Sequence, residues 1–279
     1  MSTYENYNKT SHFFDETRSA IGADIIKNTL KKEKVSLQKQ ILLDAGCGTG
    51  LYSEALVNDV KLIEAIDLNK EMLVKANIRL KKKGERLNIH FHQASIHSLP
   101  LADESVDSIM VNQVLHHLSD NAASSWKMHK KIFKEFYRVL KPGGCLIINS
   151  CSPEQLLHGF WFYKLIPNAL NSILEKTIDI KTLSAKLIKT GFSNTIHEIP
   201  KHLILQGDAY FNAKRVLDPM WRSGDSIWSL VSENTLTEVF QKVTSLQKKG
   251  ELEKFMLKHD NSRQIHGQIT FTIARKKLI

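Results

Sequence analysis

Apolar residues recur along this chain with two periods. Short apolar runs, several ending on a carboxylate, alternate with segments whose apolar positions fall three or four apart, the spacing of one helix face. Ile41-Leu42-Leu43-Asp44 reads as a buried strand, Leu62–Asp67 as a second and Ile89–Gln93 as a third. Residues 106–111 and 145–149 supply a fourth and a fifth. Helical spacing appears at Ile21, Ile25, Ile26 and Leu30, and again over 51–57. Asn69 is an N-cap residue for a helix with Leu73, Ala76, Asn77 and Leu80 on one face and Gly84 as its stop. A longer helix, capped by Ser119 or Asp120, carries Trp126, Ile132, Phe133, Phe136, Val139 and Leu140, and Lys141-Pro142-Gly143-Gly144 ends it. Strand and helix alternating with short joints predict a parallel sheet with helices on both faces.

The rhythm changes after Cys151. Residues 156–174 are rich in aromatics, with Phe160, Trp161, Phe162 and Tyr163 in succession. A helix over 183–190 ends at Gly191, and 195–204 and 268–274 read as two more strands. Between those strands lie roughly sixty residues, too many for a simple turn. They hold Tyr210, Phe211, Trp221, Trp228 and a helix over 235–248 with Leu236, Val239, Phe240, Val243 and Leu246 as its apolar stripe.

Composition narrows the picture modestly. A chain of 279 residues with 42% hydrophobic and 24% charged residues is ordinary for one globular domain. Its net charge of +10 permits an anionic partner, but the lysines are spread and sit mostly at predicted helix ends, so nucleic acid is disfavoured. No apolar run approaches a membrane span, and the first ten residues are polar. Cys47, Cys145 and Cys151 show no metal-ligand spacing and predict reduced thiols in the cytoplasm. The twelve histidines are scattered, so no metal site is expected. Nothing in the pattern sets an oligomeric state.

The candidate chemistry centres on Asp44-Ala45-Gly46-Cys47-Gly48-Thr49-Gly50. Glycines at alternate positions let the backbone turn sharply and approach a ligand, and the helix behind presents free N–H groups. This is not the dinucleotide G-x-G-x-x-G pattern. It resembles motif I of the class I S-adenosylmethionine (SAM)-dependent methyltransferases. Asp67 follows Asp44 by 23 residues, the family's distance to an acidic residue on the ribose diol. Ser98-Leu99-Pro100-Leu101 with Ser105-Val106-Asp107, Val114-Leu115-His116-His117-Leu118, and Phe136 to Gly144 (reading FYRVLKPGG) match further family segments in order. Together they are similar to the ubiquinone-biosynthesis-type, small-molecule branch.

The resemblance implies a Rossmann-like, seven-stranded, mainly parallel sheet with a helical insertion before the last strand. It implies SAM as cofactor, S-adenosylhomocysteine (SAH) as product and a small organic acceptor. Cofactor contacts would come from Asp44, Gly46, Cys47 and Gly48, from Asp67, Leu68 and Met72, and from Ser95, Ile96, Asn112, Gln113 and His117. Ser95 stands where the family often has an aspartate for the adenine amino group. Arg18 would pair with the cofactor carboxylate or belong to an ordinary helix cap region. His116 and His117 are candidate general bases, with packing or helix capping as the alternative. The layout expected is a single domain over 1–279, with a core over about 36–204 and 267–279. An N-terminal helical cap covers 1–35 and a lid covers 206–266, with Trp221 and Arg222 offered to the substrate. Two other functions remain open, an RNA methyltransferase and a non-catalytic SAM- or SAH-binding protein.

Overall fold

Five parallel strands carry the hydrophobic runs: β1 (Ile41–Ala45), β2 (Leu62–Asp67), β3 (Ile89–Gln93), β4 (Val106–Asn112) and β5 (Leu140–Ser150). β6 (Ile196–Glu198) and β7 (Thr270–Arg275) complete the sheet in the order β3-β2-β1-β4-β5-β7-β6, with β7 antiparallel to both neighbours. The structure is a computed structural model and describes residues 19–82 and 88–278. Arg18, most of the expected cap over 1–35 and the Gly84 stop therefore lie outside the described residues. The switch between β1 and β4, where strand order reverses, puts the carboxyl ends of β1, β2 and β4 around one crevice.

The helices cover both faces, as the strand alternation demands. Leu43 and Ala45 of β1 pack with α4 (Lys127–Val139) and α7 (Ile180–Thr190), through Ile132, Phe133, Phe136, Leu183 and Leu187. Leu42 faces the other way, toward α1 (Ala23–Leu30), α2 (Leu51–Leu56) and α3 (Lys70–Lys81), through Ile26, Leu30, Leu56, Leu73 and Leu80. On α3, Leu73, Ala76 and Leu80 are buried but Asn77 is exposed, so the buried stripe is narrower than expected.

A third core sits beyond β5. It joins α5 (Pro153–His158), α6 (Pro167–Leu174), α8 (Pro219–Ser223), α9 (Glu233–Lys248) and α10 (Leu252–Asp260) around Trp161, Phe162, Tyr210, Trp221 and Val243; α11 (Arg263–His266) then leads back to β7. Segments 153–174 and 205–260 thus form one helical layer, although the sixth strand and α7 separate them in sequence.

Three expectations need correction. The sixth strand is three residues long, not ten: Pro200 lacks an N–H and starts a turn closed by Leu203 N donating to Pro200 O at 3.1 Å. The long helix begins at Lys127, after residues 121–126 have turned. Asp120 still serves it, because its Oδ2 accepts from His129 N at 2.9 Å. Lys141–Gly144 does not precede β5 but bulges within it: partners step from Val106–Leu140 to Ser108–Cys145. Lys141 Nζ closes the bulge on Asp107 Oδ1 at 2.8 Å, and Asp107 Oδ2 accepts from Ile41 N at 2.8 Å.

Candidate active site

β1 delivers Asp44 and then turns. Gly46 N and Cys47 N both donate to Ile66 O of β2, at 2.8 and 2.9 Å. Gly46 takes φ +81°, and a Cβ there would lie 2.6 Å from Val114 Cγ2. Gly48 takes φ +53°, but its Cβ would meet nothing within 4 Å. Gly46 is thus required by the loop's own packing against Val114, whereas Gly48 borders open space. Asp44 is 2% exposed, and its Oδ2 accepts from Ser53 Oγ at 2.7 Å. Burial pushes its pKa from the ordinary 3.8 up to about 7, with the Ser53 bond opposing the rise.

The end of β2 is welded to this loop. Asp67 Oδ2 accepts from Gly48 N at 2.9 Å, and Oδ1 accepts from Asn69 N at 2.8 Å. Burial raises the Asp67 pKa, and these backbone donors restrain the rise. Asn69 Oδ1 in turn accepts from Glu71 N and Met72 N, which starts α3. Arg79, which sequence reasoning did not single out, fixes the loop from outside: Nε donates to Thr49 O at 3.0 Å and Nη1 to Glu54 Oε2 at 2.8 Å.

After β4 the backbone is strained. Gln113 takes φ +55°, a conformation that non-glycine residues rarely adopt and that clusters at functional sites. A chain of side chains holds it: Gln113 Nε2 donates to Asn149 Oδ1 at 3.0 Å, Asn149 Nδ2 to Tyr52 OH at 3.1 Å, and Tyr52 OH to Ile21 O at 3.0 Å. Asn112 differs. Its Oδ1 and Nδ2 are both buried without a partner. His116 and His117 follow on a short 3-10 turn, with ring centroids 4.1 Å apart and planes tilted by 43°.

These elements enclose a cavity of about 560 Å³. Every described residue expected at the cofactor lines it: Asp44, Gly46, Cys47, Gly48, Asp67, Leu68, Met72, Ser95, Ile96, Asn112, Gln113 and His117, joined by His116. The helical layer roofs it with Leu156, Phe160, Tyr163, Ile173, Thr177, Leu205, Gln206 and the 224–227 segment. Of these, Gln206 and 224–227 fall in the lid expected over 206–266, and Phe160 and Tyr163 in an aromatic run that the sequence leaves as core or substrate wall; Leu156, Ile173, Thr177 and Leu205 were not singled out as lining.

Trp221 and Arg222 do not line the cavity. Trp221 is 3% exposed inside the helical core. Arg222 Nη1 donates to Val216 O at 2.6 Å, and the guanidinium stacks 4.7 Å over Phe240 of α9. Helix α8 is barely one turn long, so its packed face turns away; the chain reaches the cavity two residues later, at Gly224. Asp225 is the roof's carboxylate. Its Oδ2 accepts from Tyr163 OH at 2.8 Å and its Oδ1 from Ile227 N at 3.0 Å.

The histidines are not all scattered. Glu64 on β2 meets His90 Nδ1 at 3.2 Å and His92 Nε2 at 2.6 Å on β3, and the three ligand atoms lie within 4.8 Å of one another. This corrects the expectation of no ligand cluster. The group sits on the outer strands and does not line the cavity.

A methyltransferase-domain family model (Methyltransf_11) matches residues 43–148, from β1 to β5. The Haemophilus ducreyi ubiquinone/menaquinone biosynthesis C-methyltransferase UbiE is 25% identical over 181 residues, 62% of this chain and 67% of that one. The Teredinibacter turnerae biotin biosynthesis bifunctional protein BioHC is 33% identical over 124 residues, which span 42% of this chain but 20% of that protein. An Anabaena variabilis protein from an antibiotic biosynthesis pathway, described as a methyltransferase, shares the fold with TM-score 0.74 at 18% identity. That likeness covers 93% of this chain and 99% of the other. Over β1 to β5 the chain matches the methyltransferase-domain model, and it is similar to class I SAM-dependent methyltransferases that act on small molecules. Among the described residues, no helix is long and apolar enough to cross a membrane.

Proposed function

We propose that the protein transfers a methyl group from SAM to a small organic acceptor by in-line displacement, leaving SAH. The observation that carries this reading is Asp67, pinned to Gly48 N at 2.9 Å on one wall of a cavity whose other wall is an apolar helical layer. The residues fit SAM: Gly48 borders open space, and the Asn112 amide is buried with both polar atoms unpartnered. Asp67 would hold the ribose diol, Ser95 and Ile96 the adenine, and Asp44 with the 46–48 loop the methionine part. Arg18, outside the described residues, would pair with the carboxylate, as the resemblance implies. Bound there, SAM supplies an electrophilic methyl group on a positively charged sulfur. The chain's own contribution is orientation and exclusion of water, which together account for much of the acceleration in such reactions.

Segment 206–266 serves as the lid in this reading, through Gln206 and 224–227 rather than through Trp221 and Arg222. His116 or His117 takes a proton from the acceptor when the reaction releases one. The free thiols at 47, 145 and 151 fit a reducing, cytoplasmic setting. Titration calorimetry with SAH tests the cofactor site, and transfer from methyl-labelled SAM to pooled small metabolites tests the activity. Absence of SAH binding by folded protein rejects the reading.

A further inference from the structure

The roof of the cavity has a chemical character of its own. Its apolar surface comes from Leu156, Phe160, Ile173, Leu205 and Ile227. Its charged side chain is Asp225, and Asp44 and Asp67 line the opposite wall. Among the described lining residues there is no lysine or arginine, in a chain with 39 of them. An acceptor anion seated against the apolar roof beside Asp225 is repelled and loses its hydration, with no lysine or arginine among the described lining residues to compensate.

One polar roof residue has a buried acceptor without a partner. Gln206 lines the cavity, and its Oε1 is buried without a partner. An amide oxygen only accepts, so its complement is an N–H or O–H group. Its position is fixed from behind. Gln268, fully buried, accepts from Leu205 N at 2.8 Å through Oε1 and donates to Gly159 O at 2.8 Å through Nε2. One side chain thus clamps the backbone beside both Gln206 and Phe160, on the two roof segments. A buried acceptor left without its hydrogen costs stability, and turning the Gln206 amide into the cavity would let a ligand donor supply that hydrogen.

We infer that the methyl acceptor is an uncharged, largely apolar molecule carrying an N–H or O–H donor, recognised by Gln206 and set in place by the Gln268 clamp. This inference rests on the methyltransferase reading and adds the acceptor's class. It separates acceptors of this kind from those bearing a phosphate, sulfonate or carboxylate.

Calorimetry with the full chain saturated with SAH tests it, using three probes of one shape at pH 8, above the ordinary histidine range. 2-Naphthol has the apolar body and the donor, 2-methoxynaphthalene lacks the donor, and 6-hydroxynaphthalene-2-sulfonate adds an anion. The expected order is 2-naphthol tightest, the methyl ether several-fold weaker, and the sulfonate weaker by about tenfold or more. Gln206→Leu should erase the difference between 2-naphthol and its ether while leaving SAH affinity unchanged, which also shows the variant is folded. Gln268→Leu should weaken 2-naphthol, and Gln268→Glu, which keeps the acceptor to Leu205 N, should restore part of the loss. Sulfonate binding equal to or tighter than 2-naphthol overturns the inference. So does failure of 2-naphthol to bind at millimolar concentration while SAH binds, or an unchanged ether-to-naphthol ratio in Gln206→Leu. Failure of SAH itself to bind rejects the methyltransferase reading instead.

Discussion

On the β1–β2 side, the cavity wall is backbone held by carboxylates; on the roof, it is side chains held by packing. Asp67 grips two backbone N–H groups, and Asp44 takes a hydroxyl from α2. The roof instead hangs on an aromatic cluster in which Phe162 lies edge-on to Trp161, Tyr163 and Trp221, and in which two tryptophan Nε1 atoms, of Trp221 and Trp228, are buried without partners. The first wall suits a fixed ligand whose groups are always the same. The second consists mainly of apolar surface, which sets size and polarity and is readily altered by substitution. On the function proposed above, one fold thereby keeps a constant cofactor beside a changeable acceptor space.

The strongest break of this contrast is Trp161→Ala. Trp161 is fully buried, and its Nε1 donates to Tyr210 O at 3.0 Å. Its loss should cost about 3–5 kcal/mol of stability, read by urea denaturation. SAH affinity of the folded protein in the cold should remain near wild type while acceptor methylation fails. Equal loss of SAH binding would show that the two walls are one unit. Asp67→Ala should do the converse: SAH binding weakens by about 1–3 kcal/mol, the effect of removing a hydrogen-bonding partner, while the roof's thermal stability is retained. Calorimetry with normal SAH affinity would remove Asp67 from the cofactor site.

Asp44 sharpens the contrast through pH. Its folded-state pKa, near 7, lies above the ordinary 3.8. Its contribution to stability is therefore fully present below about pH 4 and is lost as pH rises toward 7. A ligand ammonium beside it requires the carboxylate, so binding below pH 7 expels a proton. SAH affinity should then rise by about tenfold from pH 6 to pH 8 and level off above. Asp44→Asn should flatten that profile. A wild-type profile that is already flat would show that the ligand does not face an ionised Asp44.

The same contrast explains what the sequence revealed. Strands β1 to β5, the glycine loop and the Asn69 cap are written in neighbouring residues, so periodicity and turn chemistry expose them. The bulge at 141–144 is hidden because its cause, Asp107, lies on another strand. The start of α4 is hidden because Trp126 takes a left-handed φ of +57°, which no local signal announces. The roof depends on pairs far apart in the chain, Gln268 with Gly159 and Tyr163 with Asp225. Trp221 and Arg222 stood out by composition, yet burial of Trp221 in the helical core and the Arg222 bond to Val216 O explain them better than contact with a ligand does.

The smallest expected effect tests how the roof is tied together. Tyr163 OH donates to Asp225 Oδ2 at 2.8 Å across 62 residues of chain, and both residues line the cavity. Asp225 Oδ1 separately accepts from Ile227 N, so the start of the 226–230 turn does not depend on the tyrosine. Tyr163→Phe removes one hydrogen bond and keeps the ring, so the stability loss should be about 0.5–1.5 kcal/mol. Its functional signature should fall on the roof alone: KM for the acceptor rises several-fold, while SAH affinity and kcat at saturating acceptor stay near wild type. Such a split follows if the bond sets the spacing of the acceptor wall and touches neither the cofactor nor the transferred methyl. Asp225→Asn, which can keep Oδ1 for Ile227 N and turn Nδ2 to donate to Tyr163 OH while losing the charge, should give a smaller KM change for an uncharged acceptor. A fall in SAH affinity in either variant would mean that the roof reaches the cofactor, and that the division between a backbone-built and a packing-built wall is drawn in the wrong place.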